Sequence, residues 1–230
     1  NGEKIDHCLV GEPTSPSQMG EMMKIGRRGS MNAKITATGI QGHSAYPDRS
    51  NNPIVAMVKL LDKLVSHQLD AGTEHFDPST LAITSVDTGN KASNVIPAVT
   101  KATINIRFND SHSGSSLVSW LKDEIEKVSA EYGIKFKTDF KISGESFITP
   151  PGELSDLISK AVKQELGVTP KLSTTGGTSD ARFIKDMCPV TEFGLVGKTM
   201  HAVDEKVETK QINQLKEIYT RILEAYFEKT

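Results

Sequence analysis

The change of hydrophobic period between Gly29 and Ser143 constrains this chain more than any other feature of it. Met31, Ala33, Ile35 and Ala37 alternate with Asn32, Lys34, Thr36 and Thr38. That period of two suits a strand with one buried and one wet face. It then gives way to helical spacing at Ile54, Met57, Val58, Leu61, Leu64 and Val65, with Asn52 placed to cap and Pro53 at the first helical position. Strands are expected over 80–87 and 101–109, where Ile104, Ile106 and Phe108 share a face. Leu117, Leu121, Ile125, Val128 and Tyr132 mark a second amphipathic helix that Gly133 stops, and Phe136, Phe140 and Ile142 mark a last strand. The order βαββαβ is that of a ferredoxin-like unit, an antiparallel sheet with two helices on one face. Alternating strands such as the one from Met31 to Ala37 also leave an edge that must be paired or guarded.

The flanks read differently. Pro150, Pro151 and Gly152 break the chain, after which a helix (153–166), a strand (171–174), a helix of about 179–187, a strand (190–195) and a helix (209–228) follow one another. Such alternation argues for an α/β layer. The apolar run Ile5, Cys8, Leu9, Val10 supplies one more strand to it, ended by Gly11-Glu12-Pro13. The fold class is therefore α/β, with the ferredoxin-like unit inserted into the layer. The expected boundaries are 1–26 with 145–230 for the layer, and 27–144 for the insertion. Because the chain runs into a strand almost at once with no starting Met, we expect a fragment of a longer protein.

Composition excludes several classes of partner. Twenty-seven basic against twenty-nine acidic side chains leave a net charge of −2 with no basic block, so no nucleic-acid partner is expected. No apolar run approaches a membrane span and no signal-peptide pattern is present, so the expectation is a cytoplasmic protein without a membrane partner. Cys8 and Cys188 form no motif.

The stretch from Ser173 to Glu205 gathers the residues best suited to chemistry. Thr174 to Asp180 offers backbone N–H groups where the expected helix near Ser179 begins, an arrangement suited to anions, and Arg182 lies one turn in with a fork that grips carboxylates. His201 follows a strand and precedes a long helix, so it belongs to a strand-exit loop, with a metal or a reacting carbonyl as its natural partner. Glu12 stands at the C-terminal edge of the first strand. Arg107 falls on the polar face of its strand. Taken singly, a loop histidine or a turn acid is most often a solvated surface residue, and spacing alone does not separate the two readings.

Four separated segments carry a resemblance: VGEPT (10–14), GRRGS followed by GIQGHSAYP (26–47), NVIP (94–97), and TGGTSDARF with MHAVDE (175–205). Together, and in this order, they resemble the co-catalytic zinc amidohydrolases, the aminoacylase-like family that includes acetylornithine deacetylases and related peptidases. The resemblance implies a zinc-peptidase-like catalytic layer with an inserted dimerisation or lid domain. It implies amide hydrolysis by two zinc ions per complete subunit, for which cobalt is a substitute, acting on a small-molecule substrate in a homodimer formed through the lid.

Glu12 and His201 match the family's metal-binding Glu and C-terminal His. His43 matches the histidine that stabilises the oxyanion from the neighbouring subunit's lid, and Asn94 the lid asparagine that reaches the partner's site, with Tyr46 beside His43. Gly177, Thr178 and Arg182 resemble an acyl-carboxylate pocket, and Arg107 is a further candidate for holding substrate. Ala181 stands where relatives often have glycine. The family's other His ligand, its bridging Asp and its Glu pair have no counterpart here and are expected upstream, in a segment of about a hundred or more residues. A cationic pocket favours a dicarboxylic, succinyl-type acyl group over acetyl. Deacetylation of acetylornithine or of another N-acyl amino acid is the rival, as is a non-catalytic association module if the molecule begins at Asn1.

Overall fold

The computed structural model describes residue 2 and residues 4–228, so residues 1, 3, 229 and 230 of the expected catalytic layer lie outside the described residues. In chain order the elements are Cys8–Val10 (β1), Met22–Lys24 (β2), Gly26–Arg27 (β3), Gly29–Thr38 (β4), Gly42–His43 (β5), Pro53–Ser66 (α1), Thr80–Asp87 (β6), Val95–Ile96 (β7), Val99–Phe108 (β8), Gly114–Tyr132 (α2) and Lys135–Gly144 (β9). They continue with Phe147–Ile148 (β10), Glu153–Leu166 (α3), Lys171–Ser173 (β11), Ala181–Ile184 (α4), Val190–Glu192 (β12) and Thr209–Phe227 (α5). The chain divides into two compact units, one made of residues up to Arg28 with those from Phe147 onward, the other of Gly29–Ser146.

The second unit is the βαββαβ insertion. Its antiparallel sheet has the order β6-β8-β4-β9. The period-two faces decide its layers: Met31, Ala33, Ile35, Ala37, Ile104, Ile106 and Phe108 are buried against Met57, Leu60 and Leu64 of α1 and Leu117, Leu121 and Val128 of α2. Both helices start, and α2 stops, for local reasons. The Asn52 side chain accepts from the Ile54 N–H at 3.0 Å with Pro53 behind it, and Ser113 makes a reciprocal capping box with Ser116. Gly133 ends α2 at φ 61°, a conformation that costs a glycine nothing.

One expectation is corrected here. β4, which carries Met31 to Ala37, is an interior strand paired on both sides, and the free edges belong to β6 and β9. The alternation reported which face is buried. It carries no information about which neighbours the strand finds.

The first unit holds a mixed four-stranded sheet of order β1-β12-β2-β11. β1 runs parallel to β12, β11 parallel to β2, and β12 antiparallel to β2. Met23, Ile25 and Phe193 pack against Leu154, Ile158 and Val162 of α3 and Ile218 and Ile222 of α5. The first strand thus joins elements more than 170 residues later in the chain, as an interrupted layer requires. β3 and β10 form a short antiparallel pair where the chain leaves this unit and returns to it.

Candidate active site

The parallel pairing of β1 with β12 decides where Glu12 and His201 go. Parallel strands release their following loops at the same sheet edge, the place where α/β layers collect ligands. Glu12 lies two residues beyond β1, and the loop carrying His201 follows β12. The loops run together: the Ser15 N–H donates to Leu195 O at 3.4 Å and the Gly197 N–H to Ser15 O at 2.9 Å. A β-carbon on Gly194 would collide with the Glu12 carbonyl, so glycine is what allows this approach. His201 is exposed and left-handed at φ 62°, an uncommon conformation for a non-glycine residue. Its loop is closed by Thr199, whose Oγ1 donates to Lys206 O at 2.8 Å and accepts from the Lys206 N–H at 3.0 Å.

These two donors, an oxygen and a nitrogen, suit zinc chemically. They do not complete a site, since among the described residues no three His, Cys, Asp or Glu side chains gather closely enough to hold a metal ion.

The turn 175–179 differs from the sequence reading. The helix expected over about 179–187 is a single turn, Ala181–Ile184, too short to present an N-terminal anion site. Ser179 is buried, and its hydroxyl donates to a Glu192 carboxylate oxygen. Gly176, Gly177 and Thr178 are exposed. Arg182 is half-buried with its guanidinium 4.5 Å from the centre of the Phe183 ring.

Behind the turn lies a polar network that sequence reasoning missed. The Arg27 Nε donates to both Glu192 oxygens at 3.0 and 3.1 Å, its Nη2 to Glu192 Oε2, and its Nη1 to Thr175 O at 3.2 Å. Lys24, opposite Glu192 in the sheet, donates to Ser173 Oγ at 3.2 Å and Thr175 Oγ1 at 2.8 Å. Burial, with the nearby Arg27 charge second, pushes the Lys24 ammonium down to about 8. The signal was present: Glu192 is a lone charge inside the apolar run 190–196, where a carboxylate must find a partner or remain unpaired in the core.

In the second unit, β5 pairs with β7 so that His43 lies opposite Val95, next to Asn94, and the Ser44 N–H donates to Asn94 O at 2.9 Å. Tyr46 joins them, its ring centre 5.8 Å from that of His43. The Ala45 N–H donates to His43 Nδ1 at 3.1 Å. A neutral imidazole accepting at Nδ1 carries its proton on Nε2, which makes that atom the donor. Arg107 is not part of this group. Its Nε donates to Asn105 Oδ1 at 3.1 Å, and it pairs with Ser30 at the end of β8 where the chain enters the unit. The segment carrying His43 leaves β4 at the opposite end, about 26 Å along the strand.

This fold is shared with peptidases. A tripeptidase from Staphylococcus aureus superposes with a TM-score of 0.82 at 18% identity, covering 97% of this chain and 57% of that one. An aminopeptidase from Bacillus cereus superposes with a TM-score of 0.78, also at 18% identity, covering 94% and 56%. Residues 25–133 match the peptidase dimerisation domain. The class is thus a peptidase-like α/β layer with an inserted ferredoxin-like dimerisation domain.

Within that class the similarity in sequence is much more specific. The chain is 64% identical over 227 residues to the succinyl-diaminopimelate desuccinylase of Ruegeria pomeroyi, covering 99% of this chain and 60% of the relative. It is also 64% identical over 226 residues to that of Cereibacter sphaeroides, covering 98% and 60%. The similarity runs along almost the whole of this chain, which spans about three fifths of the relatives' length.

Proposed function

We propose that the complete protein hydrolyses the amide bond of N-succinyl-LL-2,6-diaminopimelate, releasing succinate and LL-2,6-diaminopimelate, as a zinc-dependent desuccinylase of lysine and peptidoglycan-precursor synthesis in the cytoplasm. The observation that carries this reading is the 64% identity to desuccinylases along 99% of the chain. Glu12 and His201 would hold zinc, with cobalt as a substitute, and the remaining donors belong to the two fifths of the relatives' length that this chain does not span. Zinc held there would supply Lewis acidity and lower the pKa of a bound water toward neutral pH.

The chain's own residues then have separable tasks. His43 Nε2–H donates to the oxyanion as the amide carbonyl becomes tetrahedral. Gly177, Thr178 and Arg182 hold the distal carboxylate of the acyl group. Asn94 and Tyr46 orient the substrate beside His43, while Arg107 serves as a further carboxylate partner. The placement of Arg107 and the His43 segment at opposite ends of one sheet supports their acting on different active sites, His43 being supplied to the neighbouring subunit.

The homodimer forms through the second unit, the lid, whose boundaries are near residues 27 and 144. The β6 edge exposes Ile83 and Val86, and α1, which packs over that side, exposes Val55, Val58 and Val65. The opposite edge, β9, carries exposed Lys135, Lys137 and Lys141, charges that discourage edge pairing. Among the described residues no helix is long and apolar enough to cross a membrane.

The test is hydrolysis by the full-length zinc-loaded protein of N-succinyl-diaminopimelate against N-acetylornithine. A preference for the acetyl substrate in kcat/KM overturns the assignment.

A further inference from the structure

We infer that Glu192 is a positioning residue for the acyl-carboxylate turn, fixing both ends of residues 175–179 with one buried carboxylate. The inference rests on the role proposed above for Gly177 and Thr178, and it concerns what holds them. Glu192 is 1% exposed and sits at the end of β12, a place that costs a carboxylate its hydration unless it is fully paired. It is paired twice, in opposite directions along the turn.

Toward the start of the turn, Glu192 binds the Arg27 Nε and Nη2, leaving Nη1 to donate to the Thr175 carbonyl. Toward its end, the same carboxylate accepts from the hydroxyl of Ser179. Arg27 and Ser179 are each 8% exposed. Between these pinned ends, Gly176, Gly177 and Thr178 are exposed.

Two further details point the same way. Gly176 is left-handed at φ 108°, and a β-carbon there would strike Arg27 Nη1, so the turn is moulded onto the guanidinium. Lys24 grips the Ser173 and Thr175 hydroxyls from the other side. A buried ion pair of this kind is a poor stabiliser compared with apolar packing. Its value is geometric: donors that must meet a carboxylate within a fraction of an ångström need a turn that does not rearrange when substrate arrives.

The experiment uses the full-length zinc-loaded protein with Glu192→Gln, which keeps the shape and removes the charge. Ser179→Ala, which removes only the turn's hydrogen bond, and Ser179→Thr, which keeps the hydroxyl, complete the set. We expect Ser179→Ala and Glu192→Gln to raise KM for the succinyl substrate about ten-fold or more, with kcat within about three-fold and zinc content unchanged. Ser179→Thr should retain the original KM. Amide exchange across 173–187 should accelerate in the first two variants and not elsewhere.

An unchanged KM in folded Ser179→Ala overturns the inference, whether or not Glu192→Gln folds, and so does exchange that rises uniformly over the molecule. If the unmutated protein fails to hydrolyse the succinyl amide, the proposed function falls. The exchange pattern then still decides whether Glu192 pins the turn.

Discussion

His43 illustrates how much of a residue's chemistry depends on one local hydrogen bond. The Ala45 N–H at Nδ1 fixes the neutral tautomer with Nε2 as donor. His43→Ala in the full-length protein should therefore lower kcat about 10²- to 10³-fold with zinc content and folding unchanged. On the proposal that the donor is supplied to the neighbouring site, mixing that variant with His201→Ala subunits should restore part of the activity in hybrid dimers, measured after subunit exchange is verified. Lack of recovery rules out supply across the dimer, and an unchanged kcat removes His43 from the mechanism. The motif around His43 was legible because its neighbours are adjacent in sequence. Arg27, Lys24 and Glu192 were not, because Arg27 and Glu192 meet across 165 residues and no periodicity encodes such a meeting.

At the scale of single elements the sequence spoke most clearly, and two substitutions measure it. Asn52→Ala should destabilise the second unit by about 1 kcal/mol, read as a lower urea midpoint, because the Ile54 N–H loses its acceptor. The β2 strand gives a pH signature through Lys24. Its folded pKa of about 8 lies below the usual lysine range, so the unfolded chain binds more protons between the two values, and stability contributed here rises with pH over that window. Below about 8 the buried ammonium is charged at a cost. Lys24→Met should flatten the rise in unfolding midpoint between about pH 8 and 9.5, and an identical slope in both proteins excludes Lys24 as its source. The helix expected over about 179–187 shows where element-level reading stopped: tertiary contacts truncated it to Ala181–Ile184, with Ser179 drawn instead to Glu192.

For the whole molecule, the β6 edge is the expected dimer seam. Ile83→Lys with Val86→Lys should yield monomers in size-exclusion chromatography with light scattering, while the same charges on β9 should not. A dimer that survives both lysines places the seam elsewhere. The 230-residue chain by itself should bind zinc weakly, since Glu12 and His201 are two donors where at least three are needed; two tightly held zinc ions in this chain alone would refute that account. By itself, the sequence determined the βαββαβ order, the buried faces of β4 and β8, the Asn52 cap of α1 and the Gly133 stop of α2, because periodicity and capping depend on residues a few positions apart. It also carried the motifs that resemble the zinc amidohydrolases. Only the tertiary structure decided that β4 is interior and β6 an edge, that parallel β1 and β12 bring Glu12 and the His201 loop to one sheet edge, and that Glu192 ties the turn at 175–179. Each of these is a pairing between distant segments, chosen by which strands bury best together and by the need of a buried charge to find its partner.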